Sequence, residues 1–431
     1  MSDPRPDGLA DGSSARELLR HPMVRRLLIS ELAATMSFGV LTAALGWQAY
    51  ARTGDPLVLG LIGLFEFLPA LILAIPAGQL ADRVDRRYVT AAGNLGALVF
   101  TGLLLLDAAV WGLEAWPLYL LAAGLGGSRA FAGAGFNPML AAAVTPRALP
   151  RTMALSSSTW QGALIVGPLL GGAFQALGDV PPYAAAMLLE ATAGILVLTV
   201  TRRIGTDHKV VDAPPVTLRD ATAGLRFIIA TPALLAAISL DLVAVLFGGA
   251  TALLPVVAQD ILHVGEVGYG VLRAAPGVGA VLVGILLSVR PIQRKVGPVL
   301  LACVALFGLF TIIFGLSENF ILSLVALSFL AASDMVSVFI RSTLGPLLTP
   351  ASLRGRVGAA ERVFIGASNE LGAFESGTLA RVIGTVPAIL VGGVTSVAIA
   401  GLWFVLFPSL RRIDRFEDAK PGPVPDATGT V

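Results

Sequence analysis

Seven charged residues stand inside stretches that are otherwise apolar: Glu31, Glu66, Arg129, Asp241, Asp334, Arg341 and Glu370. A charge in hydrocarbon is costly unless it is paired or faces water, so each is a functional candidate by default. The acids can take up and release protons as their surroundings change, and the arginines can pair with them or with an anionic group. Asp241, roughly two turns inside its stretch, is the first candidate for a proton carrier, ahead of Glu31 at about one turn. Glu31 has a plainer reading as a partner of Arg25 or Arg26, and Asp241 as half of a structural pair. Glu66 precedes Pro69 by about one turn, where it can meet a substrate or a backbone group that the proline frees. Glu190 reads as a local hydrogen-bonding group.

Other chemistries lack their residues. The single cysteine, Cys303, permits no intramolecular disulfide and no cysteine-based metal cluster. His21, His208 and His263 are scattered, with no His-Glu-x-x-His pattern, and no Gly-x-Ser-x-Gly elbow occurs. Lys209, Lys295 and Lys420 each lack a preceding glycine, so no Gly-Lys-Ser/Thr phosphate loop exists and no cofactor is implied.

The elements that must position the seven charges follow from composition. Hydrophobic residues make up 55% of the 431 and charged ones 13%, against roughly 25% charged in soluble domains. A spanning helix takes about 20 apolar residues. Apolar runs bounded by charge, Pro or Gly lie at 27–49, 57–77, 89–106, 117–139, 156–177 and 182–200, then at 233–257, 267–289, 298–316, 320–342, 359–379 and 385–407. The expected fold is therefore all-α and integral to the membrane, with twelve transmembrane helices in two pseudo-symmetric six-helix bundles. The division reads 1–22 (N-terminal tail), 23–200 (first bundle), 201–226 (connector), 227–408 (second bundle) and 409–431 (C-terminal tail). No cleavable signal peptide is seen in the first 22 residues. In the connector, Thr217 to Leu225 reads as a short capped amphipathic helix on the inner membrane face. The first tail and the end from Pro421 read as disordered.

Orientation follows from the 30 Lys and Arg residues. With the N-terminus inside, 25 fall in inner segments, three outside (Arg52, Arg273, Arg381) and two within spans (Arg129, Arg341). That bias predicts cytoplasmic termini. A faint repeat supports duplication: a shift of 210 places Glu31 over Asp241 and Gly60 over Gly270, and a shift of 204 places Thr145-Pro146 over Thr349-Pro350. Two six-helix halves with a site between them make a transporter architecture.

Three motifs stand on this frame. After the second span comes Gly78-Gln-Leu-Ala-Asp82-Arg83-Val-Asp85-Arg86-Arg87. Gly78 would let backbones approach, Asp82 would sit at the positive end of a neighbouring helix, and the arginines would reach anionic headgroups. A positive-inside anchor is the plainer reading. The fourth span holds Arg129-Ala-Phe-Ala-Gly133-Ala-Gly135, and the fifth Gly167-Pro168-Leu-Leu-Gly171-Gly172. The latter predicts a kinked span that rocks against a neighbour, or simply close packing of small residues.

These motifs resemble the major facilitator superfamily, whose signature in this loop is Gly-x-Leu-Ala-Asp-Arg-x-Gly-Arg-Arg. Asp85 stands where the family usually has Gly, and the second-half loop keeps Arg290, Arg294 and Lys295 without an acidic partner. The resemblance thus implies an asymmetric gate built on Gly78, Asp82, Arg83, Arg86 and Arg87. Arg129 resembles the family arginine that tunes proton transfer, with Ala132 in place of the usual Gln. The Gly-Pro-x-x-Gly-Gly of the fifth span resembles that of antiporter-type exporters, with Gly167, Pro168, Gly171 and Gly172 as the hinge. Residues 59–69 resemble the branch of siderophore exporters and macrolide efflux proteins. In the family fold, spans 3, 6, 9 and 12 face lipid, so Asp334, Arg341, Glu66 and Glu370 would line a substrate cavity. The resemblance implies a bacterial inner-membrane, monomeric exporter of a small amphipathic molecule in exchange for protons, with the bilayer and no nucleic acid as partner. An uncoupled facilitator or importer, or a sensor or assembly factor that lost transport, are the rival readings.

Overall fold

The computed structural model describes residues 15–112, 115–200 and 218–419, and among these all regular structure is helical. The helices are α1 (Ala15–Arg20), α2 (Pro22–Thr53), α3 (Pro56–Arg83), α4 (Arg86–Leu106), α5 (Ala115–Ala142), α6 (Leu149–Gln175) and α7 (Pro181–Leu198). They continue as α8 (Leu218–Ala230), α9 (Pro232–Phe247), α10 (Gly265–Val289), α11 (Val296–Leu316), α12 (Phe320–Leu348), α13 (Arg354–Ile383) and α14 (Thr385–Leu406). Proline opens α2, α3, α7 and α9, where its missing N–H costs nothing and its fixed φ suits the first turn. Among the described residues, nine helical segments are long and apolar enough to cross a membrane. The segments α5, α6 and α13 match them in length and fall short in hydropathy: α13 alone carries seven charges, from Arg354 to Arg381.

The seventh span, expected as one helix over 233–257, is broken. Helix α9 stops at Phe247, and Gly248 and Gly249 lead into a 3-10 turn (Ala250–Leu253), a single α turn (Leu254–Val256) and a π turn (Val257–Ile261). Two glycines weaken the helix, Pro255 removes an N–H, and α13 presses on the break: a methyl at Gly249 would stand 2.5 Å from the Gly372 carbonyl.

The helices gather into two units. Of the described residues, the first takes those within Met1–Thr53, Phe65–Ala213 and Glu266–Ala274, and the second those within Gly54–Leu64, Pro214–Gly265 and Ala275–Val431. In the first, α2 packs on α6 and α7, and α4 on α5 and α7. In the second, α9 packs on α13 and α14, and α11 on α12 and α14. The same pairing recurs helix for helix, which is the internal pseudo-symmetry. The opening turns of α3 fall in the second unit because small residues allow contact there: a methyl at Gly60 would lie 2.7 Å from Phe374 Cα.

Helix α8 docks on protein. Phe227 and Ile228 are buried in the core of the second unit, and a methyl at Gly224 would lie 2.6 Å from the Arg356 carbonyl. Helix α8 is therefore held by the second unit's core as well as by any contact with the membrane face. Thr217, the expected cap, lies outside the described residues, as do the stretches 1–14 and 420–431 that the tails were read from.

Between membrane helices the driving force is close packing of small residues, so filling such a contact should be costly. A methyl at Gly93 of α4 would stand 2.7 Å from both Ala132 Cα and the Ser128 carbonyl of α5, whereas one at Gly133 meets nothing within 4 Å. Gly93→Ala should lower stability by about 1–3 kcal/mol and Gly133→Ala by none, as read by thermal unfolding in detergent. Equal effects would show that α4 and α5 are not in this contact.

Candidate functional site

In the second unit, Asp241 of α9 and Arg341 of α12 form an ion pair at 2.6 Å, with side chains only 8% and 6% exposed. Arg341 Nε also donates to Ser337 Oγ at 3.3 Å. Asp334, Ser337 and Arg341 share one face of α12 through i, i+3, i+7 spacing, so the helix itself sets them in line. Asp241, Asp334, Ser337, Cys303 and Phe307 line a pocket with about 220 Å³ of empty space including its mouth. Two carboxylates against one guanidinium leave a single negative charge when both acids are ionised. Such a wall can take a proton or another monovalent cation, and apart from Ser337 the rest of it is apolar or weakly polar.

Glu370 lies elsewhere. Its Oε2 sits over Gly63, where a methyl would come within 2.6 Å, so it occupies the contact between α13 and the first turns of α3. Close by in sequence, Arg381 near the end of α13 pairs with Asp55 at 3.3 Å.

In the first unit, Arg129 of α5 forms an ion pair with Glu66 of α3. Its guanidinium also lies over the Phe38 ring of α2, 4.2 Å from the centroid, a stacking geometry that favours arginine over lysine. Gly126 makes the pair reachable: a methyl there would stand 3.0 Å from Glu66 Cα and overlap the Glu66 carbonyl. Asp241 takes Arg341 of its own unit, and Arg129, the arginine expected to tune proton transfer, pairs with Glu66. Glu31 also differs from the expectation of an arginine partner. Ser156 Oγ of α6 lies 2.7 and 2.8 Å from its two oxygens, while Arg26 donates to the Thr199 carbonyl at 2.6 Å.

Glu190, 4% exposed, accepts from Ser37 at 3.0 Å and Thr101 at 3.1 Å, joining α7 to α2 and α4. This is the local role its sequence suggested. Sequence reading missed the pair of Arg52 with Asp107 at 2.6 Å, where Asp107 is buried at the start of a π turn after α4. It also missed Ser156 and Ser337. A serine in an apolar run near a charge was the available signal.

The motif loop is short: only Val84 and Asp85 separate α3 from α4. Asp82, in the last turn of α3, is 74% exposed and pairs at 3.2 Å with Arg86, the first residue of α4. Asp85 holds the cap position. Its side chain caps α4 by accepting from the Arg87 N–H at 3.0 Å. The residue that departs from the usual Gly is thus the one that caps α4. Arg87 is buried, pairs with Asp85 at 2.6 Å and donates to the Val200 carbonyl at the end of α7, also at 2.6 Å. Arg83 is exposed. Gly78 was expected to permit a close backbone approach, yet a methyl there meets nothing within 4 Å.

The Gly-Pro-x-x-Gly-Gly stretch packs along α2. Methyls at Gly167 and Gly171 would stand 2.9 Å from Gly39 Cα and 2.8 Å from Ala43 Cβ, and one at Gly172 would stand 2.8 Å from Gly270 Cα. Helix α6 is continuous through Pro168.

Residues 27–373 match the family model described as Major Facilitator Superfamily. A search of curated proteins found no match. Several solved structures are similar in fold. A bacterial homologue of the human lysosomal transporter Spinster, in an inward-facing and occupied conformation, aligns with a TM-score of 0.71 at 14% identity over 96% of this chain and 100% of its own. A POT family transporter in complex with 5-aminolevulinic acid gives 0.70 at 12% identity over 90% and 96%. The nucleoside transporter NupG gives 0.66 at 14% identity over 90% and 99%. At these identities the likeness is one of fold.

Proposed function

We propose, since the chain belongs to the Major Facilitator Superfamily, that this multi-pass membrane protein is a secondary transporter that exports a small amphipathic molecule in exchange for protons by alternating access. The observation that carries this reading is the buried Asp241–Arg341 pair on the wall of a pocket shared with Asp334. A carboxylate so placed changes its interaction with Arg341 when it takes a proton, and a proton that binds one conformation better than another shifts the balance between them. Glu31, held by Ser156, and Glu66, held by Arg129, are the alternative carriers. The lack of a nucleotide motif leaves an ion gradient as the energy source. The Gly-Pro-x-x-Gly-Gly stretch supports export, and residues 59–69 support a substrate of the siderophore or macrolide kind.

In this reading both termini are cytoplasmic and the membrane is the bacterial inner one. The loop residues Gly78, Asp82, Arg83, Arg86 and Arg87 then set the balance between inward-open and outward-open states, and α6 rocks on α2 at Gly167–Gly172. Labelled candidate compounds in proteoliposomes, with and without a pH gradient, test coupling and direction together. Accumulation driven by the gradient is expected, and accumulation indifferent to it would leave an uncoupled facilitator. For topology, single cysteines at Asp55 and His208 in a Cys303→Ala background should label from outside at 55 alone. Labelling from outside at 208 and not at 55 would reverse the orientation.

A further inference from the structure

The loop between α10 and α11 carries Arg290, Arg294 and Lys295 and no acid of its own. It leads into α11, whose opening N–H groups have no partner inside the helix. Lys295 stands at the cap position with φ 56°, and an ammonium cannot accept a hydrogen bond. The C-terminal segment that follows α14 fills the gap. The Lys295 N–H donates to Asp414 Oδ1 at 3.0 Å, the Val296 N–H to the Asp414 carbonyl at 3.2 Å, and the Gly297 N–H to the Ile413 carbonyl at 3.0 Å. Arg294 Nε donates to Asp414 Oδ2 at 3.4 Å. The segment is anchored by Leu410, fully buried, and by Phe416, which meets the Phe339 ring edge-on at 6.2 Å. The Lys295 N–H above all holds the Asp414 carboxyl below the usual carboxylate range, opposed by desolvation and helped by Arg294 and Arg415.

The first unit sets the start of α4 in the same register, from its own loop. Helix α4 begins at Arg86 and α11 at Val296, 210 positions later. Asp85 caps α4, and the residue 210 positions after it is Lys295. Arg87 reaches the Val200 carbonyl, and 210 positions on Gly297 lies against the Leu410 carbonyl. The register is kept but the cap differs: Asp85 stands at φ −55° and caps α4 itself, whereas Lys295 stands at φ 56° and the acid comes from the tail.

We propose that Asp414 is a positioning residue: from the C-terminal segment it fixes the start of α11, and so the face of α11, with Cys303 and Phe307, that lines the pocket of Asp241 and Asp334. The proposal rests on the pocket and not on the substrate, direction or coupling of transport.

The test uses the full chain and two readouts, hydrogen exchange over residues 290–297 and alkylation of the native Cys303 by N-ethylmaleimide. Asp414→Ala should speed the exchange by about tenfold through local opening and shift the alkylation rate by about threefold, with exchange in α13 unchanged. Asp414→Asn, which keeps the side chain's shape, should move both readouts the same way. Native exchange in Asp414→Ala and Asp414→Asn overturns the proposal. So does faster exchange with native alkylation of Cys303, which would reduce the segment to a cap with no influence on the pocket.

Discussion

Asp241→Asn should abolish pH-driven accumulation in proteoliposomes while downhill exchange of the same compound persists in part. The carboxylate stands 2.6 Å from Arg341 with both side chains under a tenth exposed, and Asn keeps an oxygen for that contact but can no longer carry a proton. Removing one partner of a buried pair typically costs about 3–5 kcal/mol. The Asn oxygen should hold the loss near the low end, and lowered expression is the signal that would confuse the result. The double variant Asp241→Asn with Arg341→Gln separates the two effects. With neither charge buried it should recover most of the lost stability and still fail to accumulate substrate. Full accumulation by Asp241→Asn would remove Asp241 as the carrier, and full accumulation by Asn or Gln at Asp241, Glu31 and Glu66 alike would end the carboxylate mechanism.

For Arg129 the expected loss is nearly as large, and it should not be repaired by lysine. Its guanidinium pairs with Glu66 and lies 4.2 Å above the Phe38 ring. Arg129→Gln strands Glu66 at about 3 kcal/mol and gives up a cation–π contact of about 0.5–2 kcal/mol. Lysine keeps the charge and loses the planar fork and the stack. Thermal unfolding should rank native above Arg129→Lys above Arg129→Gln, with transport strongly lowered in both variants. Native transport by Arg129→Lys would mean that charge alone matters there, and the three-helix geometry would have no functional weight.

The Asp82 and Asp85 positions show how a motif can be legible while its contacts are not. The sequence displays two acids and three arginines in a short loop, and either acid could cap the next helix. Helix geometry chooses Asp85, directly before the first turn of α4, and leaves Asp82 at the end of α3 paired across the loop with Arg86. Gly78 is the reverse case: its type suggested a close approach, and the space beside it is open.

By itself the sequence determined the class, the approximate spans and the positions of the buried charges. Each is written in local composition: an apolar run long enough to span, a proline that opens a helix, a charge that stands out against its neighbours. Tertiary structure alone decided the partners. Glu31 meets Ser156 across 125 residues, Lys295 meets Asp414 across 119, and Asp241 of α9 takes Arg341 of α12. The break in the seventh span was also settled there, since paired glycines permit an interruption and the pressure of α13 on Gly249 places it. The physical reason is common to all of these. Helix periodicity fixes which face a residue occupies, but in a membrane no contrast between apolar core and polar surface marks which faces meet. Small residues and unpaired polar groups settle that choice only when the helices pack.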